Sequence, residues 1–177
     1  MLWLFALVLG LVFGLLTGGS LTNFARIRFR WPWVILAVIV IREAVLLTPL
    51  NAVQGAQYLY VVALAAIIAW TVWHVGRIRG ILLVAIGAAS NLLVIVVNGA
   101  RMPVAPELAG PLVQRGNIGQ YTLMGSGTNL NLLGDWIKLT PLPEAYSPGD
   151  VLIAVGLAIV VFLAARNPGA YKELTPP

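Results

Sequence analysis

Long apolar runs alternate with short polar turns along this chain, and one 53-residue segment, 98–150, breaks the rhythm. The runs extend from about Leu2 to Thr17, Pro32 to Leu50, Tyr58 to Val75, Gly80 to Asn98 and Val151 to Ala165. A hydrocarbon core of about 30 Å takes roughly 20 apolar residues in helical form. The runs are too long for ordinary strands, and backbone facing lipid must satisfy its own hydrogen bonds, which favours helix. The pattern predicts an all-α membrane protein with a single membrane domain over residues 1–177. Its expected architecture is a bundle of five transmembrane helices, with an ordered extracytoplasmic cap at about 99–150 between helices four and five. The first run lacks the basic leader and small-residue cleavage site of a secretory signal, so it is expected to be retained.

Charge sets the expected threading. Arg26, Arg28 and Arg30 lie between the first two runs, Arg77 and Arg79 between the third and fourth, and Arg166 and Lys172 after the fifth. The turn between the second and third runs carries no charge. The positive-inside rule then predicts a multi-pass membrane protein, N-terminus outside and C-terminus cytoplasmic. Trp31, Trp33, Tyr58, Tyr60, Trp70 and Trp73 fall near run ends, where aromatic rings anchor at the interface. The stretch from Ser20 to Trp31 places Phe24, Ile27 and Trp31 at helical spacing. It is expected either to lie along the inner membrane surface or to be a short solvated linker.

Composition strengthens this picture. The chain is 60% apolar and 10% charged, against about a quarter charged in a soluble domain, and its mean hydropathy is +0.93. The net charge of +5 is absorbed by topology and gives no ground for nucleic-acid binding. The absence of cysteine excludes disulfides, thiolate nucleophiles and cysteine metal sites.

Three features lie inside the expected spans. Gly10, Gly14 and Gly18 recur every fourth residue and share one helix face, a packing signal for a span of this chain or a second subunit. Arg42 and Glu43 sit near the middle of the second run, where each ionised group costs about 2.5–3.5 kcal/mol before it finds a partner. Ser90 and Asn91 in the fourth run fall at almost the same depth, which predicts an intramembrane polar layer of Arg42, Glu43, Ser90 and Asn91. Such a layer serves a proton or ion relay or an anionic headgroup, or merely clamps two helices. His74, the single histidine, is expected to reach water at the inner interface rather than ligate haem or pigment. No cofactor and no metal are predicted.

Segment 98–150 carries six prolines and eight glycines, which break long helices and strands alike. One short helix is expected from Asn129 to Ile137, capped by Thr128. Asn98 and Gly99 suit a left-handed exit from the fourth helix. Asp150 suits the start of the fifth, where a carboxylate caps free amides. Asp135 precedes Trp136, an interfacial anchor. Asp135, Asp150 and Glu107 are the candidates for an outer cation site, and the first two for an acid pair.

Three motifs carry a family resemblance: Asn98-Gly99-Ala100-Arg101-Met102-Pro103-Val104, Leu133-Gly134-Asp135-Trp136-Ile137 with the following Pro141-Leu142-Pro143, and Ser147-Pro148-Gly149-Asp150 leading into the fifth run. With them the chain resembles a bacterial membrane-protein family, domain of unknown function 5317. The resemblance spans the carboxyl-terminal half by motif and the whole chain by the arrangement of its runs. It implies no activity and therefore transfers no catalytic residue. It marks Asn98, Gly99, Met102, Pro103, Gly134, Asp135, Trp136, Gly149 and Asp150 as the cap motifs.

No nucleophile elbow, P-loop, dinucleotide fingerprint or metal-spaced histidine pair is present, which leans away from an enzyme. The expected role is a non-catalytic accessory or scaffolding subunit of a membrane complex, in contact with lipids and other membrane subunits. The alternative is a small oligomeric transporter or channel that uses the polar layer.

Overall fold

In the computed structural model each apolar run forms a helix: α1 (Leu2–Leu16), α2 (Pro32–Leu47), α3 (Ala56–Trp73), α4 (Ile81–Val97) and α5 (Pro148–Arg166). The structure describes residues 1–26, 31–47, 55–110, 120–142 and 144–166. Among them, only α5, at 19 residues, is by itself long and apolar enough to cross a membrane. The apolar helices Leu2–Leu16, Gln57–Trp73 and Ile81–Val97 are shorter. The five-span expectation is thus narrowed to a mostly helical protein with, among the described residues, five α-helices and one candidate span.

Helix α5 sits at the centre, with α1 against one side and α4 against another; α3 packs on α4, and α2 on α3. Small residues explain how closely these backbones approach. A Cβ on Gly10 would fall on the Ala158 carbonyl oxygen, and one on Gly14 would lie 2.7 Å from Ala165 Cβ. The neighbour along this face is therefore α5, running parallel to α1. Gly18 does not join the seam: it lies beyond the helix end at φ +90°, with open space around it. Gly19 takes its place: a Cβ there would lie 2.7 Å from the Ala165 carbonyl oxygen.

A second seam joins α4 to α5 in antiparallel sense. Gly87 faces Gly149, and one heptad away Gly80 faces Gly156, where a Cβ on Gly156 would lie 3.0 Å from the Gly80 carbonyl oxygen. Substituting Gly10 by valine is expected to lower stability by about 1–3 kcal/mol, because the obstacle it meets is backbone rather than a yielding side chain. Thermal unfolding in mild detergent measures this, with Val12→Ala on the exposed face as an unaffected control.

The all-α expectation is corrected in the cap, whose described residues hold four short strands. β1 (Met102–Val104) pairs in parallel with β2 (Tyr121–Leu123), and β3 (Ile137–Lys138) pairs antiparallel with β4 (Ala145–Tyr146). Proline and glycine deny this segment a helical ladder, so its buried amides and carbonyls are satisfied in short extended pieces. Pro103, which has no amide to donate, instead accepts the Asp135 N–H at its carbonyl at 2.9 Å. The helix expected over Asn129–Ile137 shrinks to a 3-10 turn, Asn131–Leu133. Leu130 turns left-handed before it, and Asp135 leaves it to bridge Val104. Thr128 closes a tight turn instead of capping a helix: its hydroxyl accepts the Gly125 N–H at 3.0 Å.

The connection after α1 is described as far as Arg26, with Leu21 and Thr22 exposed and Asn23 and Phe24 half-buried. Leu21–Arg26 is a 3-10 segment docked on the end of α5. Ser20 N and Asn23 Nδ2 both donate to the Ala165 carbonyl, at 2.9 and 2.6 Å, and Phe24 packs against the cluster of Ile78, Ile81 and Ala164. Ile27, Arg28 and Arg30 lie outside the described residues.

Candidate functional site: an acidic cavity under the cap

The chemistry gathers where α5 begins. Ser147 precedes Pro148, whose missing amide costs nothing in the first helical turn. Ser147 Oγ accepts the Asp150 N–H at 2.9 Å, while Asp150 Oδ2 accepts the Ser147 N–H at 3.1 Å. This reciprocal pair is a capping box with aspartate as its carboxylate. The predicted capping role of Asp150 therefore holds in detail. Its other oxygen, Oδ1, accepts from Asn91 Nδ2 of α4 at 2.9 Å, and the Ser147 hydroxyl donates to Asn91 Oδ1 at 2.9 Å. Gly149 makes this possible, since a Cβ there would land on Asn91 Oδ1.

Asp135 arrives from the cap. Its backbone is held by β1 on both sides, its N–H on the Pro103 carbonyl and its own carbonyl accepting from Ala105, each at 2.9 Å. Gly134 permits that approach: a Cβ there would lie 2.7 Å from the Pro103 carbonyl oxygen. The Asp135 side chain is buried, and its Oδ1 has no hydrogen-bond partner. Burial, and secondarily the charge of Asp150, pushes its pKa from the ordinary 3.8 up to about 8.

Both aspartates line one cavity of about 340 Å³, together with Leu2 and Trp3 of α1, Tyr60 of α3, Asn91 and Ile95 of α4, and Gln120 and Tyr146 of the cap. Gln120 is also buried with an unpartnered Oε1. At the rim, Glu144 Oε2 meets the Met1 amino group at 2.6 Å and accepts the Tyr146 hydroxyl at 2.8 Å. Those two bonds hold the Glu144 carboxyl below its usual range.

The sequence-derived candidates divide accordingly. Asp135, Asp150, Asn91 and Met102 come together around the cavity. Glu107 stands exposed on a 3-10 turn away from it, so the expected three-carboxylate cation site is not assembled. Among the described residues, no group of three or more acidic, histidine or cysteine side chains is placed to hold a metal.

Asn91 reaches toward α5. Ser90 is half-buried, and the side chains of Arg42 and Glu43 lie outside the described residues. Asn98 pins the cap to α4, donating to Val94 O at 2.7 Å and to Asn129 O at 2.8 Å, and accepting Asn129 N–H at 2.7 Å. The left-handed exit begins one residue later than expected, at Gly99 and Ala100. Trp136 is half exposed, and its indole N–H donates to Leu132 O at 2.8 Å.

His74 corrects its expectation. Rather than reaching water it is fully buried, its ring 3.9 Å from that of Trp70 and its Nδ1 2.7 Å from the Trp70 carbonyl. Stacking and the bond to the preceding turn fold the ring back onto α3.

The sequence reading named Ser147 and Gly149 only as motif residues and missed their roles, and it missed any role for Gly80, Gly87, Gly156 and Gln120. Ser147 had a legible signal, a Ser-Pro-Gly-Asp capping pattern before an apolar run. The glycine pairs of α4 and α5 also had one, seven residues apart in both helices. Gln120 had none.

No curated protein and no solved structure matches the chain. A comparison with known families matches residues 26–162 to "Family of unknown function (DUF5317)". That span includes α2 to α4, the whole cap and most of α5, and so contains every polar residue of the α4–α5 junction. The chain belongs to this family of unknown function.

Proposed function

We propose that the protein is a non-catalytic integral membrane protein of the bacterial cytoplasmic membrane, crossing it five times with its N-terminus outside. In this reading it is an accessory or scaffolding component, in contact with lipid and with other membrane subunits. The observation that carries the reading is the apolar outer surface of the helices. Leu4, Phe5 and Phe13 of α1, Leu36 and Val40 of α2, Leu59 and Val62 of α3, and Leu82 and Leu93 of α4 are all exposed. Soluble monomers rarely expose contiguous apolar patches larger than a few hundred Å².

The short helices favour a subunit over a solitary protein. A helix of 15 residues such as α1 rises about 22 Å, less than the bilayer core. Such a mismatch is relieved by local thinning or by association with neighbours.

Because the chain has no cysteine, single cysteines report topology cleanly. Gly125→Cys in the cap is expected to react with a membrane-impermeant maleimide in intact cells, and Arg79→Cys only after permeabilisation. The reverse pattern would overturn the threading. Purification in mild detergent with quantitative mass spectrometry is expected to recover a stoichiometric membrane-protein partner; a protein that is always recovered alone is not an accessory subunit.

A further inference from the structure

We propose that the cavity under the cap binds a small organic ammonium ion, its N–H groups received by Asp135 Oδ1 and Gln120 Oε1. These two oxygens are acceptors without a hydrogen-bond partner, on residues each only 7% exposed, and both residues line the same cavity. A buried acceptor left unsatisfied costs about 1–3 kcal/mol. Two in one cavity define a place where a donor-bearing guest is stabilised.

The sign of the guest's charge follows from the walls. Asp150 and, at the rim, Glu144 supply carboxylates, Asp135 adds a third once its proton leaves, and the amino group of Met1 at the rim is already paired with Glu144. An anion is therefore repelled. A bare metal ion fits poorly, because hard cations take six or more oxygens and Asp150 already spends its oxygens on Ser147 and Asn91.

The shape favours an organic cation. The volume of about 340 Å³ lies at the small end of ligand cavities, which run from about 300 to 1,000 Å³. Trp3, Tyr60, Tyr121 and Tyr146 contribute aromatic walls, and aromatic rings attract ammonium groups while covering the attached hydrocarbon.

Proton linkage provides an independent signature. Asp135 holds its proton up to about pH 8 in the empty protein, and an ammonium beside it favours the carboxylate. Binding near pH 7 therefore releases a proton from Asp135. The titratable groups around it in the cavity are Asp150 on α5, Tyr60 on α3, Tyr121 on β2, Glu144 and Tyr146 next to and on β4, and the Met1 amino group before α1. Of these, Asp150 and Glu144 oppose retention of the carboxylate, and the ammonium must outweigh them.

The test is calorimetric titration of the full-length protein in mild detergent, which depends on neither the topology nor the partner reading. The probes are butylammonium and phenethylammonium chloride, with 1-pentanol and 3-phenylpropan-1-ol as neutral counterparts. At least one cation is expected to bind saturably while its neutral counterpart does not. The apparent heat should vary with the buffer's ionisation heat in the sense of proton release. Asp135→Asn is expected to weaken binding by at least about tenfold and to abolish the proton release. Gln120→Met should weaken it several-fold and leave the release intact, and Glu107→Gln should change neither. Binding of neither cation, equal binding of cation and alcohol, or unchanged affinity in Asp135→Asn would each overturn the proposal.

Discussion

Valine in place of Gly149 will unseat the N-terminal end of α5 from α4 and lower stability by about 2–5 kcal/mol, the largest effect expected of any single substitution. Two costs combine. The added Cβ would fall on Asn91 Oδ1 and lie 2.6 Å from the Gly87 carbonyl oxygen. The second obstacle is backbone, and the first is a side chain already held by Asp150 and Ser147. If Asn91 is displaced, the bonds it makes to Asp150 and Ser147 are lost, and Ser147 is fully buried. The measurement is the thermal unfolding midpoint in detergent. The double variant Gly149→Val with Asn91→Ala separates the costs: the network is lost only once, so its destabilisation should fall short of the two single effects added. An unchanged midpoint in Gly149→Val would mean that α4 and α5 do not meet as described.

The helices were legible because a long apolar run has few ways to bury its backbone, and observed ends fall within three residues of the expected ones wherever both are described. Run length alone could not decide how many helices cross a bilayer. The cap was legible only as a segment without long helices or strands. Its strands are two or three residues long and paired across 19 residues from Met102 to Tyr121, too short to leave an alternating pattern. Asn129–Ile137 shows why periodicity misled there: Leu130, Leu133 and Ile137 share a helical face, yet Asp135 between them is claimed by β1. Long-range pairing outweighed local spacing. Asn91 was singled out for its depth, but depth says nothing about direction around the helix. It turns toward α5 because Gly149 leaves it room. Asp135 and Asp150 were named as a pair without any basis for their separation, which only the bridge from Asp135 to Val104 could supply.

The carboxyl of Asp135 is expected to make the protein less stable as pH rises from about 4 to about 8, by an amount on the order of a few kcal/mol. Its native pKa of about 8 stands above the ordinary 3.8 of the unfolded chain. Between those values the folded protein keeps a proton that the unfolded chain has released. Stability must then fall with rising pH through this window and level off above it, where both states are ionised. Glu144 acts in the opposite sense and lower down. Its pKa is depressed by the Met1 amino group and Tyr146, so its contribution is lost only as pH falls below the usual carboxylate range. Half exposed to solvent, that pair is screened and weak. Asp135→Asn keeps the size of the side chain and removes the ionisation, so its unfolding midpoint should fall less between pH 5 and 8 than that of the wild type. Near pH 8 the variant should be the more stable of the two, and below pH 4 the two should converge. Midpoints measured in one detergent at unit steps of pH decide the matter: parallel curves for the two proteins would show that Asp135 ionises as a solvated carboxylate does, and the enclosure of its side chain by the cap would have to be abandoned.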